Sequence, residues 1–260
     1  MYQEKLYQSV KSLIDRHKFP HTCLVEGEYG CGKHTLVNFI LENMGLAMLT
    51  LSSPISDETI EQMYLSPTPT IYLIEAESLK VRDQYALLKT LEEPLKNSYL
   101  IIICENRNIL LNTILNRCQV FKFDPVKLED LVEMFGTDQI PMYANTPGRV
   151  KEFSQFPTYE MIDYCEKILT KIGQANYSNS LNILGKIAFK DGDIGYPHNL
   201  FLYLLTNVCV DLYKKSLIPY LYVKIVNEWY SQSKIPHINK SQLCEKYLIR
   251  LKLVTENYGA

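Results

Sequence analysis

Little in this sequence is one-sided. Its 27 basic and 29 acidic residues leave a net charge of −2. That balance excludes a polycation that binds nucleic acid through chain-wide counterion release, so any contact with DNA is local or shared with other chains. No apolar run reaches the ~18 residues that read as a membrane span. The stretch from Met1 to Phe19 mixes charges through an amphipathic pattern and carries no apolar leader, so a cytoplasmic location is expected. The seven cysteines (23, 31, 104, 118, 165, 209 and 244) are scattered, with no CxxC pair and no Cys/His cluster at zinc spacing. Buried, reduced thiols are expected, and no metal site. The five histidines are equally dispersed, and no Ser/His/Asp or Cys/His grouping can be read from them. There is no repeat of fixed period and no low-complexity tract. What is present, 47% hydrophobic and 22% charged residues in a chain of 260, is the composition of an ordinary globular protein with about two domains.

Patterns alternate between helix and strand as far as residue 124 and turn helical after Pro125, which marks a domain boundary. Leu6, Val10, Leu13 and Ile14 are spaced for one helix face. A short apolar strand at Cys23 to Val25, a glycine loop over 27 to 32 and a helix from Lys33 to Met44 follow. The run Ala47 to Leu51 leads to a helix near Ser56 to Tyr64, with Ser56 as its cap. Thr70 to Ile74 and Tyr99 to Cys104 are too short and apolar for helices, and a helix over Val81 to Leu91 lies between them. Strands separated by helices predict a parallel sheet covered on both faces. The expected layout is an α/β core over 1–124, a small helical lid over 125–156, and an all-helical domain over 157–260. The last would hold four or five helices, broken at Gly173, Gly192 to Gly195, Pro219 and Pro236. Its helix near 198 to 215 places Phe201, Leu204, Leu205, Val208 and Leu212 on one broad apolar face, read as core or in part as a surface against other subunits.

The sharpest local signal is Gly27-Glu-Tyr-Gly30-Cys-Gly32-Lys33-His34-Thr35, set between a strand and a helix. Glycines there let backbone N–H groups turn toward phosphates, the helix N-terminus adds partial positive charge, and Lys33 would meet the outer phosphates. The position after that lysine ordinarily supplies a hydroxyl to Mg²⁺; here it is His34, and an imidazole suits Mg²⁺ poorly. Thr35 lies about 100° further round the helix and is no simple replacement. The second signal is the apolar strand Thr70 to Ile74 running into Glu75. A phosphate-loop ATPase ends such a strand in a metal-holding acid, often with a water-activating Glu beside it. One acid stands where two are expected. Either Glu75 is the catalytic type and Ile74 takes the metal-acid position, or Glu75 is the metal acid and the activator is missing. A helix-capping acid after a buried strand is the plain alternative.

Two further segments, Leu87 to Pro94 (LLKTLEEP) and Thr113 to Phe123 (TILNRCQVFKF), stand in the same order and spacing as in the clamp-loader branch of the AAA+ ATPases, which the chain resembles over most of residues 1–156. Within that branch it is most similar to the delta-prime subunits of bacterial DNA polymerase III. Ala144 to Phe153 resembles their lid segment, with Gly148 where active subunits carry a nucleotide-sensing arginine and Arg149 one position later. The segment Asn239 to Leu251 resembles the last collar helix more loosely. No cysteine lies between Cys31 and Cys104, so the four-cysteine zinc module of most bacterial members is absent.

The resemblance implies an AAA+ core with a helical lid and a collar-like domain, acting in DNA replication. It implies a degenerate phosphate loop (Gly27, Gly30, Gly32, Lys33, Thr35), a degenerate acid at Glu75, and an arginine, Arg117, offered in trans to a neighbouring subunit's nucleotide. The expected function is a non-hydrolysing structural subunit that requires no cofactor and binds at most a weak, Mg²⁺-independent nucleotide or anion. Expected partners are the clamp-loader ATPase subunits, the sliding clamp and, through the assembled complex, primed DNA, with no membrane. The alternative is an active AAA+ DNA-dependent ATPase, against which His34, Ile74 and Gly148 argue together. A plain phosphate-loop kinase gives no reason for the LLKTLEEP segment or for Arg117.

Overall fold

A computed structural model describes residues 3–96, 98–137, 139–172, 198–235 and 238–258. By its internal contacts the chain divides into two compact units, residues 1–140 with 144–151, and residues 141–143 with 152–260. Residues 125–156 are thus shared between the units.

The first unit is built on five parallel strands: β1 (Thr22–Glu26), β2 (Ala47–Leu51), β3 (Thr70–Glu75), β4 (Tyr99–Cys104) and β5 (Gln119–Lys122), in the order β2-β3-β4-β1-β5. Helix α1 (Glu4–Asp15) precedes β1, and α2 (Lys33–Met44), α3 (Asp57–Leu65), α4 (Val81–Glu92) and α5 (Asn112–Leu115) lie between successive strands. Successive side chains of a strand point to opposite faces, and the core follows that rule. Leu24, Tyr72, Ile74, Leu100 and Ile102 join one buried cluster with residues of α3 and α4, while Cys23, Val25, Leu73, Ile101 and Ile103 join another with residues of α1 and α2. This two-faced burial is why β3 and β4 read as unbroken apolar runs. Two further helices complete the segment after the sheet, α6 (Leu128–Phe135) and α7 (Pro147–Phe153).

Local chemistry fixes the element ends. Ser56 Oγ accepts from Thr59 N–H at 3.2 Å and caps α3. At the start of α4, the buried Asp83 carboxylate accepts from the Lys80 and Ile55 N–H groups and the Ser53 hydroxyl, at 2.9, 3.0 and 2.7 Å. Burial alone would raise the pKa of this carboxyl; the three hydrogen bonds outweigh burial and hold it below the usual value. At the other end of α4 the Tyr64 hydroxyl donates to the Glu93 carbonyl at 2.5 Å, serving one of the carbonyls that a helix end leaves without a partner.

The second unit contains α8 (Thr158–Lys171), α9 (His198–Lys214), α10 (Tyr220–Ser233) and α11 (Lys240–Tyr258). Helix α9 packs on α8 and α10, and α10 packs on α11. Phe201, Leu204, Leu205, Val208 and Leu212 are all buried, and Trp229 stacks on Tyr247 with ring centroids 5.8 Å apart. Pro219 precedes α10, in keeping with the expected break. The breaks expected at Gly173, Gly192 to Gly195 and Pro236 lie outside the described residues. All seven cysteines are free, six of them buried, with Cys118 half-buried. Among the described residues no helix is long and apolar enough to cross a membrane, and no group of His, Cys, Asp and Glu could hold a metal ion.

Candidate functional site

Parallel α/β sheets bind ligands in the crevice beyond the carboxyl ends of their strands, and the glycine loop lies there. It leaves the end of β1 at Gly27 and enters α2 at Lys33, walling a cleft of about 980 Å³. Gly30, Gly32, Lys33, His34, Thr35 and Glu75 all line this cleft. Gly30 and Gly32 have φ of 75° and 108°, a left-handed backbone that glycine adopts without strain. Gly27 is needed for space, since a Cβ there would come within 2.6 Å of Cys31 Sγ and 2.8 Å of Phe123 Cβ.

Inside the cleft the expected ligand-binding groups engage one another. The Lys33 ammonium donates to the Gly27 and Glu28 carbonyls at 2.7 and 3.0 Å, so it is folded back on its own loop. His34 Nε2 lies 3.5 Å from Glu75 Oε1, both side chains being more than half exposed. Ile74 is fully buried in the core, which leaves Glu75 as the β3 terminal residue that faces the cleft. Glu77 and Glu105 line it too, with Glu77 Oε1 accepting from the Glu105 N–H at 2.6 Å. Among the described residues, five carboxylates (Glu75, Glu77, Glu105, Asp130 and Glu133) and two lysines, Lys33 and Lys151, line the cleft. That balance opposes an unaccompanied polyphosphate.

The lid segment sits directly on the phosphate loop. Gly148 N–H donates to the Gly30 carbonyl at 2.9 Å, Thr146 Oγ1 donates to the Tyr29 carbonyl at 2.8 Å, and Asn145 Nδ2 donates to Glu28 Oε2 at 2.7 Å. A Cβ on Gly30 would come within 2.8 Å of Gly148 Cα, and one on Gly148 would come closer still to Gly30. The two glycines are therefore what allows the backbones to touch. Arg149 is buried with its guanidinium 4.3 Å from the Tyr29 ring centroid, and it does not line the cleft. Glu26, at the root of the loop, accepts two hydrogen bonds from Arg107 at 2.9 and 2.5 Å, which hold its carboxyl below the usual range.

Comparison with known proteins brings the same features together. A family described as "DNA polymerase III, delta subunit" matches residues 54–127. A replication factor C small subunit from Methanococcus maripaludis is 35% identical over 68 residues, covering 26% of this chain and 22% of the relative. Another, from Staphylothermus marinus, is 27% identical over 149 residues, covering 50% of this chain and 44% of the relative. The chain thus spans less than half the length of the curated relatives it matches. A solved DNA polymerase III gamma subunit-related protein from Thermotoga maritima aligns over 95% of this chain and 99% of its own, with a TM-score of 0.51 at 15% identity. The fold is an AAA+ phosphate-loop core with a C-terminal helical domain. The sequence matches, to a DNA polymerase III subunit family and to replication factor C small subunits, point toward clamp-loader proteins over half of the chain at most.

In this AAA+ core, Arg117 stands at the end of the sheet opposite the phosphate loop. It follows α5, and its carbonyl accepts from Thr22 Oγ1 at 2.9 Å, at the first residue of β1. A five-residue strand spans about 16 Å, and Arg117 does not line the cleft. The side chain is 36% exposed. It donates from Nη1 to the Thr113 carbonyl at 2.8 Å and from Nη2 to Glu92 Oε1 at 2.9 Å. Arg117 therefore forms a surface ion pair with Glu92, and its side chain remains partly accessible as well. Gln84 fixes the preceding loop, donating to the Ile109 carbonyl and accepting from Leu111 N–H at 3.0 and 2.8 Å. Sequence reasoning passed over Tyr29, Arg107 and Glu92. Glu92 alone carried a signal, as an acid at the negative end of a helix.

Proposed function

We propose that this chain is a non-hydrolysing, delta-prime-like structural subunit of a sliding-clamp loader that acts in DNA replication. It supports neighbouring ATPase subunits as they load a clamp onto primed DNA, and it offers Arg117 in trans to a neighbour's nucleotide. The observation that carries this reading is the His34–Glu75 pair. It joins the position after the phosphate-loop lysine, which ordinarily supplies a hydroxyl to Mg²⁺, to the one acid that β3 presents, and metal coordination supplies several kcal/mol of charge stabilisation in phosphoryl transfer. Arg149, stacked outside the cleft on Tyr29, supports the same reading, since no lid arginine faces the phosphate position. No cofactor is required in this reading, and the glycine loop binds at most a weak, Mg²⁺-independent nucleotide or anion through its backbone N–H groups.

The test is ATP turnover by the purified chain, with and without Mg²⁺ and primed DNA. Rates at background under every condition are expected. A Mg²⁺-dependent rate of about 1 per second or more, abolished by Lys33→Ala, would refute the proposal in favour of an active DNA-dependent ATPase.

A further inference from the structure

Glu92 is the last residue of α4, where a carboxylate opposes the helix dipole and an ordinary sequence favours a cation. Its partner is Arg117, and both side chains are at least one-third exposed, a setting in which an ion pair contributes little to stability. Stability therefore does not account for the placement. The two ends of the pair are nonetheless firmly mounted. The Tyr64 hydroxyl donates to the carbonyls of Lys89 and Glu93 at 3.3 and 2.5 Å, which ties down the turn that carries Glu92. The Arg117 backbone is held by its N–H to the Ile114 carbonyl at 2.9 Å and by Thr22 Oγ1 on its own carbonyl. Between these mounts the guanidinium is gripped at two separate nitrogens, by Thr113 O and Glu92 Oε1. A guanidinium has five N–H donors in a rigid plane, so two bonds fix its orientation and leave Nε–H and one N–H on each terminal nitrogen for an external acceptor.

We infer that Glu92 is a positioning residue for Arg117: it sets the plane of the guanidinium so that the remaining donors meet a neighbouring subunit's nucleotide phosphates without a search. This inference rests on the trans-arginine reading above. A long side chain loses rotamer freedom when it is fixed, and prior orientation shifts that cost out of the transition state. The anion that replaces water on the outer donors need not displace Glu92.

The experiment is the reconstituted loader, with this chain beside the ATPase subunit it contacts, and it reads that partner's kcat and KM separately. Glu92→Ala is expected to lower the partner's kcat about 10-fold with KM unchanged. Glu92→Gln, whose carboxamide oxygen still accepts from Nη2, should restore turnover to within about 2-fold. Combined with Arg117→Ala, Glu92→Ala should cost nothing further, because it acts only through that arginine. A loss in Arg117→Ala with Glu92→Ala at wild-type turnover overturns this inference and leaves the trans-arginine reading standing. Equal loss in the Gln and Ala variants, or an effect of Glu92→Ala that persists without Arg117, overturns it too. Partner turnover indifferent to Arg117→Ala overturns both.

Discussion

The two ends of β1 carry the two sets of candidate residues, and they differ in what each set is bonded to. At the carboxyl end, Lys33 bonds to its own loop, His34 faces Glu75, and the Gly30 carbonyl is taken by Gly148. The cation expected at the outer phosphates and the two groups expected near the metal are thus engaged within the chain. At the amino end, Arg117 is also engaged, by Thr113 and Glu92, but those two contacts use two of its five N–H donors, and the side chain is 36% exposed. One sheet thus supports a site closed on itself and a group held open. The difference teaches that a phosphate loop can be retained for reasons other than phosphate. Gly30 is required where the lid backbone touches the loop, and that requirement stands whether or not a nucleotide enters. Helix α4 joins the two ends. Its 12 residues, about 18 Å of helix, run from Val81, two residues before Asp83, to Glu92, which bonds to Arg117.

The widest separation between the ends is expected in a reconstituted loader. Arg117→Ala should lower the partner's ATP turnover about 10³-fold or more, the worth of a trans arginine in phosphoryl transfer. Arg117→Lys should recover little, because an ammonium lacks the planar fork of donors. Lys33→Ala at the other end should leave the same turnover unchanged. Steady-state hydrolysis by the assembled complex checks all three variants, and a Lys33→Ala loss as large as that of Arg117→Ala would erase the contrast.

The next effect is on the helix that links the ends. Asp83→Asn keeps the side-chain shape but replaces a carboxylate accepting three hydrogen bonds at a buried site, and bonds to charged groups are worth about 1.5–3 kcal/mol each. A loss of about 2–4 kcal/mol at neutral pH is expected in urea unfolding. The pH dependence has a definite sign. The Asp83 carboxyl is held below its ordinary value in the fold, so its contribution is fully present above the unfolded value of about 3.9. It disappears as pH falls through the lower folded value. The Asn variant should lack this acid limb, and an unchanged limb would assign acid sensitivity to another carboxylate, Glu26 first.

Much of this was legible before any coordinates. The apolar runs of β1, β3 and β4 were visible because strands buried on both faces show no polar alternation; β2, an edge strand whose residues are largely exposed, was visible from its apolar composition alone. The Ser56 cap, the helix at Lys33 and the apolar face of α9 followed from local pattern in the same way. Strand β5 was not read, because Gln-Val-Phe-Lys places only Phe121 in the core and gives no run to see. The site divided along similar lines. Gly27, Gly30, Gly32, Lys33 and His34 lie within one loop, so their neighbourhood was fixed by sequence distance. The pairs Gly30 with Gly148, Tyr29 with Arg149 and Glu92 with Arg117 join residues far apart in the chain. No periodicity encodes such contacts; the fold creates them.

A smaller effect tests the joint at the closed end. Gly148→Ala inserts a methyl group against the Gly30 backbone, and overpacking of this kind costs about 1–3 kcal/mol. The loss should be local: amide exchange at residues 29 to 33 should accelerate while β1 and β4 stay protected. Unaltered exchange in the loop would mean that the lid segment does not bear on it in solution.

The smallest effect is expected where the sequence departs most visibly from an active site. His34→Thr returns a hydroxyl to the position after Lys33 and releases Glu75 from its imidazole neighbour. A hydroxyl is one oxygen ligand among the six that Mg²⁺ demands in strict octahedral geometry. The remaining needs are unmet: Ile74 stays in the core, so β3 still presents Glu75 without a second acid beside it on the strand, and Arg149 stays on Tyr29 outside the cleft. The five carboxylates of the cleft also remain, opposing a triphosphate that arrives with its charge only partly neutralised. Turnover should stay at background, and calorimetry should give ATP affinities with and without Mg²⁺ that differ by less than about 3-fold, under 1 kcal/mol. A Mg²⁺-dependent rate near 1 per second in this single variant would show that the closed end is one substitution from activity, and the distinction between the two ends of β1 would then rest on His34 alone.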